Sequence, residues 1–501
     1  MKSELPVGWV YAKASDVCVS IPNGSTPKAH LMATRGDVPF VKVYNLTFDG
    51  SLDFTRDPTF VSRETHETLL RRSRAMPGDV LMNIVGPPLG KVSVLPDTFP
   101  EWNFNQAIVA FRARSEAIDN RYLANFLSHE AEAWASKFSK ATVGQHNVAV
   151  SDCRSLEVPL PPINEQRRIV AKLDALLARS RHAKQALASI PALIERFRQS
   201  VLAAAFRGDL TRDWREQNPE VEPVSTLLAR EARSTKRRVS RQAIAQARAA
   251  GAKFDDLPST WELTSVARVA ELQPGYAFKS SWFSAQGIRL LRGTNIVPGA
   301  TRWEDTVHLS EERRREFSEY ELRAGDLVIA MDRPFVSAGL KIARLTSKDV
   351  PSLLLQRVGR FRLGNAIYED FLLAYLNSDH FKSHIRDQAT GTQLPHISGN
   401  DIESAPLPLP PLAEQEQISR RIGAAMAALE RMSHEVTSAT SRIAVLESTI
   451  LQHAFRGELV PQEPSDEPAS ALLQRIRAER DKPGDNEPRP RSKRRRDAKV
   501  A

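Results

Sequence analysis

The sequence predicts an α+β protein built by internal duplication. Two α+β domains each lead into a long helix, and the two helices form an antiparallel coiled-coil pair with pseudo-twofold symmetry. Three observations predict this. Residues 159–210 and 408–459 are near copies at a constant offset of 249 residues. Both copies carry apolar or small residues at alternating steps of four and three. The segments ahead of the two copies also echo each other, in the same order. A repeat of this length governs the whole architecture.

The first domain is expected over 1–158 and the second over 257–407. Leu5-Pro6-Val7-Gly8-Trp9 is echoed by Leu257-Pro258-Ser259-Thr260-Trp261, and Val41-Lys42-Val43-Tyr44-Asn45-Leu46 by Leu291-Arg292-Gly293-Thr294-Asn295-Ile296. Gly78-Asp79-Val80-Leu81 matches Gly325-Asp326-Leu327-Val328, and Asn105-Gln106 matches Leu355-Gln356. Offsets of 247 to 252 mean that loops differ while element order holds. Short β-rich runs at 39–46, 79–85, 107–112 and 326–331 are bounded by Gly, Pro and Asp, and helices are expected at 120–139 and 368–386.

The helical copies occupy 159–210 and 408–459. Each opens Pro-Leu-Pro-Pro-x-x-Glu-Gln and closes Ala-Phe-Arg-Gly-(Asp/Glu)-Leu. Proline is accepted at a helix start, and glycine supplies the left-handed residue that ends one. The expected seam runs through Ile169, Leu173, Leu176, Leu187, Ile194 and Phe197 in the first copy. In the second it runs through Ile418, Ile422, Leu429, Val436, Ile443 and Leu446. A 3.5-residue period is that of a coiled coil. Pro191 is expected to kink or break the first helix. A basic helical linker (211–256) follows the first copy, and a short helix with a disordered basic tail (460–501) follows the second.

The net charge of +10 is concentrated. Residues 228–254 carry a net +7 and residues 489–501 a net +6, leaving the remainder at about −3. The folded parts must therefore grip any polyanion through local patches. Two cysteines, Cys18 and Cys153, offer neither a disulfide framework nor a cysteine metal site. No apolar run is long enough to cross a bilayer and no signal peptide opens the chain, so a cytoplasmic protein with no membrane partner is expected.

No catalytic constellation emerges. Asn83-Ile-Val-Gly-Pro-Pro-Leu89 has neither the aromatic nor the polar residue that an amino-methyltransferase motif needs. Gly86-Pro-Pro-Leu-Gly90-Lys91-Val92 falls one residue short of a phosphate loop and has no Ser or Thr. His380 and His384 are four apart but have no evident third metal ligand. Asp79 and Asp326 fit turns better than catalysis. Candidate DNA-reading side chains are Arg292, Arg333, Lys341, Arg357, Gln393 and His396 in the second domain, and Lys28, Lys42, Lys91, Gln145 and His146 in the first. Such groups can meet phosphates or base edges.

Two variable α+β units, each followed by a long helix bearing these paired motifs, resemble the specificity subunit of a type I restriction–modification system. The resemblance covers roughly 1–480. It implies that each variable unit is a target recognition domain reading one half of a bipartite, asymmetric DNA target with a fixed gap. It also implies a subunit without catalytic activity that recruits two methyltransferase subunits and, with them, restriction subunits. S-adenosylmethionine, ATP and Mg would be bound by those partners and no cofactor by this chain. Ala413, where the first copy has Asn164, and Pro191 depart from a uniform repeat. The alternative is a coiled-coil adaptor whose domains bind protein.

Overall fold

A computed structural model describes residues 4–48, 50–86, 88–138, 140–142, 145–234, 254, 256–337, 339–388 and 396–480. Gln393, the basic stretch after residue 234 and the tail from 481 lie outside the described residues. The chain forms two compact units, Met1–Leu187 with Ser438–Ala501, and Ala188–Thr437.

The two units repeat one topology. In the first, an antiparallel sheet orders Cys18–Ser20, Ile108–Ala113, Val80–Asn83 and Val92–Val94. A second sheet orders Phe60–Val61, Val38–Val41, Trp102–Phe104 and Arg74–Ala75, with Val38–Val41 and Trp102–Phe104 parallel. The second unit repeats the first sheet and keeps the parallel pair of the second, whose edge strands differ. One orders Ala270–Pro274, Val358–Leu363, Leu327–Ala330 and Ile342–Arg344. The other places Ile288–Leu291 parallel to Ser352–Leu354. In each unit the strand leading into the long helix pairs with the domain's opening strand, Glu157–Leu160 with Val10–Lys13 and Pro406–Leu409 with Glu262–Ser265.

Two local differences from the sequence reading have clear causes. The run 39–46 stops as strand at Val41, because the buried Asn45 side chain accepts from the Lys42 amide at 2.9 Å and turns the chain. The helix expected over 368–386 is two helices, Glu369–Leu376 and Asp379–Gln388. They separate at Ser378, whose hydroxyl accepts from the Phe381 amide at 3.3 Å and so begins the second helix.

The long helices are Ile163–Arg207 and Leu412–Phe455. Within each unit they pack antiparallel. Ile169 and Leu173 share the first unit's core with Ala454 and Phe455, and Lys184 pairs with Glu447. Leu202, Ala205 and Phe206 share the second unit's core with Ile418 and Ile422. The helix is continuous through Pro191, which is exposed, so the expected break does not occur. One proline removes one ladder bond, and the bonds on either side suffice.

The seam is corrected in two places. Ile169, Leu173, Ile194, Ile418, Ile422 and Leu429 are buried, while Leu176, Leu187, Val436 and Ile443 are half-buried. Phe197 and Leu446 are 56% and 52% exposed. A helix at 3.6 residues per turn drifts by roughly 20° per heptad from a 3.5 repeat. The buried stripe therefore moves on to Leu202, Ala205 and Phe206 in one helix and to Ala454 and Phe455 in the other.

The Glu-Gln pair explains why both copies keep the same opening. Gln166 Nε2 donates to the carbonyls of Ala117 (3.0 Å) and Pro161 (2.9 Å), and its Oε1 accepts from the Asp119 amide at 2.8 Å. Gln415 repeats this with Ala366 (2.9 Å), Pro410 (2.8 Å) and the Tyr368 amide (2.7 Å). Each glutamine thus fastens the helix start to the domain before it. The neighbouring glutamate holds the tryptophan of the Leu-Pro-x-x-Trp echo. Trp9 Nε1 donates to Glu165 at 3.1 Å, and Trp261 Nε1 donates to Glu414 at 2.8 Å. Burial raises the Glu165 carboxyl above the usual carboxylate range despite donors from Gln462 and Trp9.

The closing Phe-Arg-Gly receives a similar explanation. Phe455 packs edge-on against Tyr122 and Phe126 in the first unit, as Phe206 does against Phe371 and Tyr375 in the second. Gly208 and Gly457 have φ of +84° and +75°, and a Cβ there would meet Pro258 Cγ at 2.6 Å and clash with Pro6 Cγ.

Candidate nucleic-acid interface

The sheets bring three chain segments of the second unit to one place. Ser352–Leu354 and Val358–Leu363 are joined by a tight turn in which the Val358 amide donates to Leu355 O at 3.2 Å. Arg357 occupies that turn at φ +68°, a left-handed conformation that disfavours side chains. Its carbonyl accepts from the Met331 amide at 2.8 Å, which sets the loop Asp332-Arg333 beside it. Arg333 is also left-handed, at φ +44°. The Ile397 amide donates to Met331 O at 2.9 Å and brings in His396, which bridges Asp332 through the backbone.

The result is an open cleft of about 520 Å³ lined by Arg292, Arg333, Lys341, Arg357 and His396 among others. These are five of the six residues expected from the sequence in this domain. The sixth, Gln393, lies outside the described residues. The five are not equivalent. Arg333 and Arg357 are exposed, and Arg357 Nη1 lies 3.3 Å from Asp332 Oδ1. Arg292 is paired with Asp305 at 2.8 Å. Lys341 departs from the expectation of a DNA-facing cation. It is 8% exposed, and its ammonium donates to Gly293 O at 2.8 Å. Burial lowers its pKa, and it acts as a strut between two walls of the cleft.

In the first unit the candidates have separate partners. Lys28 is exposed ahead of the turn Ala29–Leu31. Lys42 lies 3.5 Å from Asp57 and faces the Tyr44 ring. Lys91 Nζ sits 5.7 Å from the Phe48 ring centroid. Gln145 and His146 fall on the strand Gln145–Asn147, which pairs with Lys140–Thr142. Asn83 closes the loop that follows it, accepting from the Lys91 amide at 2.9 Å and donating to Pro88 O at 3.0 Å.

Asp79 and Asp326 are turn residues. Asp79 accepts from the Met76 amide at 2.9 Å and Asp326 from the Arg323 amide at 2.8 Å. Each also receives an arginine, Arg112 at 2.8 Å and Arg360 at 3.1 Å. His384 Nε2 lies 2.9 Å from Asp401 O.

The family model "Type I restriction modification DNA specificity domain" matches this chain twice, over residues 6–192 and 258–435. The chain belongs to that family. The specificity domain thus occurs once in each half, ahead of and along each long helix. Similar curated proteins include the EcoKI specificity subunit of Escherichia coli (strain K12), 26% identical over 95% of this chain and 96% of that one. The StySPI specificity subunit of Salmonella potsdam is 27% identical over 96% and 97%. The EcoAI specificity subunit of Escherichia coli is 28% identical over 66% of this chain, and the match spans 63% of that subunit's length.

Two solved structures share the specificity-domain fold. One, from work on assembly and conformational transition of the type I R-M system, has a TM-score of 0.66 at 19% identity, covering 91% of this chain and all of that one. The HsdS subunit from Thermoanaerobacter tengcongensis has a TM-score of 0.54 at 20% identity, covering 91% and 99%.

Sequence reasoning missed Asp332 and Gln356 as members of the cleft. Gln356 carried a signal, since the Gln that pairs it with Gln106 stands beside the turn in both domains. Asp332 carried none, because its partner in the first domain is an apolar valine that only strand register identifies.

Proposed function

We propose that this chain is the targeting subunit of a type I restriction–modification complex, reading a bipartite, asymmetric DNA target with a fixed gap. Each specificity domain would read one half-site, and the chain would recruit two methyltransferase subunits, with restriction subunits joining them. The chain contributes no catalytic group in this reading. S-adenosylmethionine, ATP and Mg would belong to the partners, and the complex would act in the cytoplasm.

The observation that carries the proposal is the cleft of the second domain. Exposed arginines there stand on turns that a shared scaffold fixes, in a chain that is slightly acidic outside its two basic segments. Cations so placed suit phosphates and base edges. The test is a base-resolution methylation map of the host genome with this gene present and deleted. The expected result is loss of methylated adenines from one split motif of constant gap. An unchanged map would overturn the targeting role.

A further inference from the structure

The two domains can be superimposed residue by residue through their hydrogen bonds, and this singles out one set of positions where a common scaffold carries opposite chemistry. The Ile84 amide donates to Ala107 O at 2.8 Å, as the Met331 amide does to Arg357 O at 2.8 Å. The Val148 amide donates to Ile84 O at 2.9 Å, as the Ile397 amide does to Met331 O at 2.9 Å. Asn83 is in register with Ile108, as Ala330 is with Val358. Val85, Gly86 and Ala107 of the first domain therefore correspond to Asp332, Arg333 and Arg357 of the second.

The backbone makes this difference informative. Gly86 has φ +92°, and its counterpart Arg333 has φ +44°. Glycine meets that demand without strain, whereas arginine does not. The second domain accepts a left-handed arginine there and a second one at 357, where φ is +68°. Left-handed backbone at two arginines of one cleft is strain of the kind that clusters at functional sites. Asp332, half-exposed, accepts from Arg357 and limits the directions its guanidinium can take. An arginine fixed by a carboxylate presents its remaining donors as a planar fork, which matches the O6 and N7 acceptors of guanine in the major groove.

We infer that Arg357, oriented by Asp332, reads a guanine in the second domain's half-site, and that the first domain has no such reader at its equivalent position. This rests on the DNA-targeting role proposed above and names the residue and base class that role requires. Arg333, without a side-chain partner among the described residues, supplies charge beside the fork. Val85, Gly86 and Ala107 offer only small or apolar surface, so the half-site facing them is read by other means.

The experiment assembles the full chain with its methyltransferase subunits and selects bound duplexes from a library randomised over both half-sites. Wild type is compared with Arg357→Lys and Arg357→Gly. The expected wild-type motif holds a guanine at one position of the second half-site. Both variants lose preference at that position alone, by about tenfold or more, with the first half-site and gap unchanged. Lysine keeps the charge and loses the fork, so it separates base reading from phosphate contact. Glycine suits the left-handed turn, and its thermal midpoint is expected at or above that of wild type, which excludes misfolding as the cause.

Uniform weakening across all sequences would make Arg357 a phosphate contact and overturn the inference, as would an unchanged motif in both variants. If wild type selected no split motif, the targeting role itself would fail.

Discussion

Trp261 shows how a single side chain joins two parts of one unit. Its indole N–H donates to Glu414, whose side chain is 1% exposed and also accepts from Thr211 at 2.7 Å and from Arg215 at 2.5 Å. Removing one donor from a buried carboxylate costs about 1–3 kcal/mol, because the lost partner cannot be replaced by water. Trp261→Phe keeps the ring and removes only the donor. Chemical denaturation is expected to show destabilisation in that range, and a loss below ~0.5 kcal/mol would mean that Thr211 and Arg215 satisfy Glu414 unaided. At this scale the sequence was informative about residue type and silent about use. Arg333 and Arg357 were legible as candidate readers, whereas Lys341 was not legible as a strut, because its burial depends on a contact with Gly293 far away in the chain.

At the scale of elements, periodicity located the long helices but misplaced part of their buried face. A strict alternation of four and three cannot be followed indefinitely by a helix of 3.6 residues per turn. Phe197 is left in solvent while Leu202, five positions on, is 3% exposed. Phe197→Ala is therefore expected to change stability by no more than about 0.5 kcal/mol, within the range of exposed substitutions. Leu202→Ala is expected to cost about 2–5 kcal/mol through lost contacts and the cavity left behind. Equal costs in a denaturant titration would restore the original seam. Strand order in the two sheets was not legible, since it depends on pairings such as Val38–Val41 with Trp102–Phe104 that lie some sixty residues apart.

At the scale of the whole molecule, duplication was the strongest signal in the sequence, and the doubled family match agrees with it. Constant spacing survived because the Glu-Gln openings and Phe-Arg-Gly closings each make several contacts at once. The basic tail stands apart from this order. Residues 489–501 carry a net +6, whereas the chain outside its two basic segments is slightly acidic. Their expected role is nonspecific attraction to phosphates, each contact adding about 0.9 to the slope of log affinity against log salt. Truncation after Arg480 is expected to flatten that slope for the assembled complex while leaving its preferred sequence unchanged. Identical slopes would remove the tail from DNA binding.

The first unit draws on both ends of the chain. The Ala469 amide donates to Gly8 O at 3.0 Å, Arg168 pairs with Asp466 at 2.8 Å, and the core that holds Trp9 also holds Phe455 and Leu473. The second unit, by contrast, is a single stretch, Ala188–Thr437. During synthesis the ribosome therefore delivers the second unit whole while the first still lacks its closing segment. The part made earliest is the last to be completed, and a message cut short after residue 437 would yield one finished unit and one with an open core.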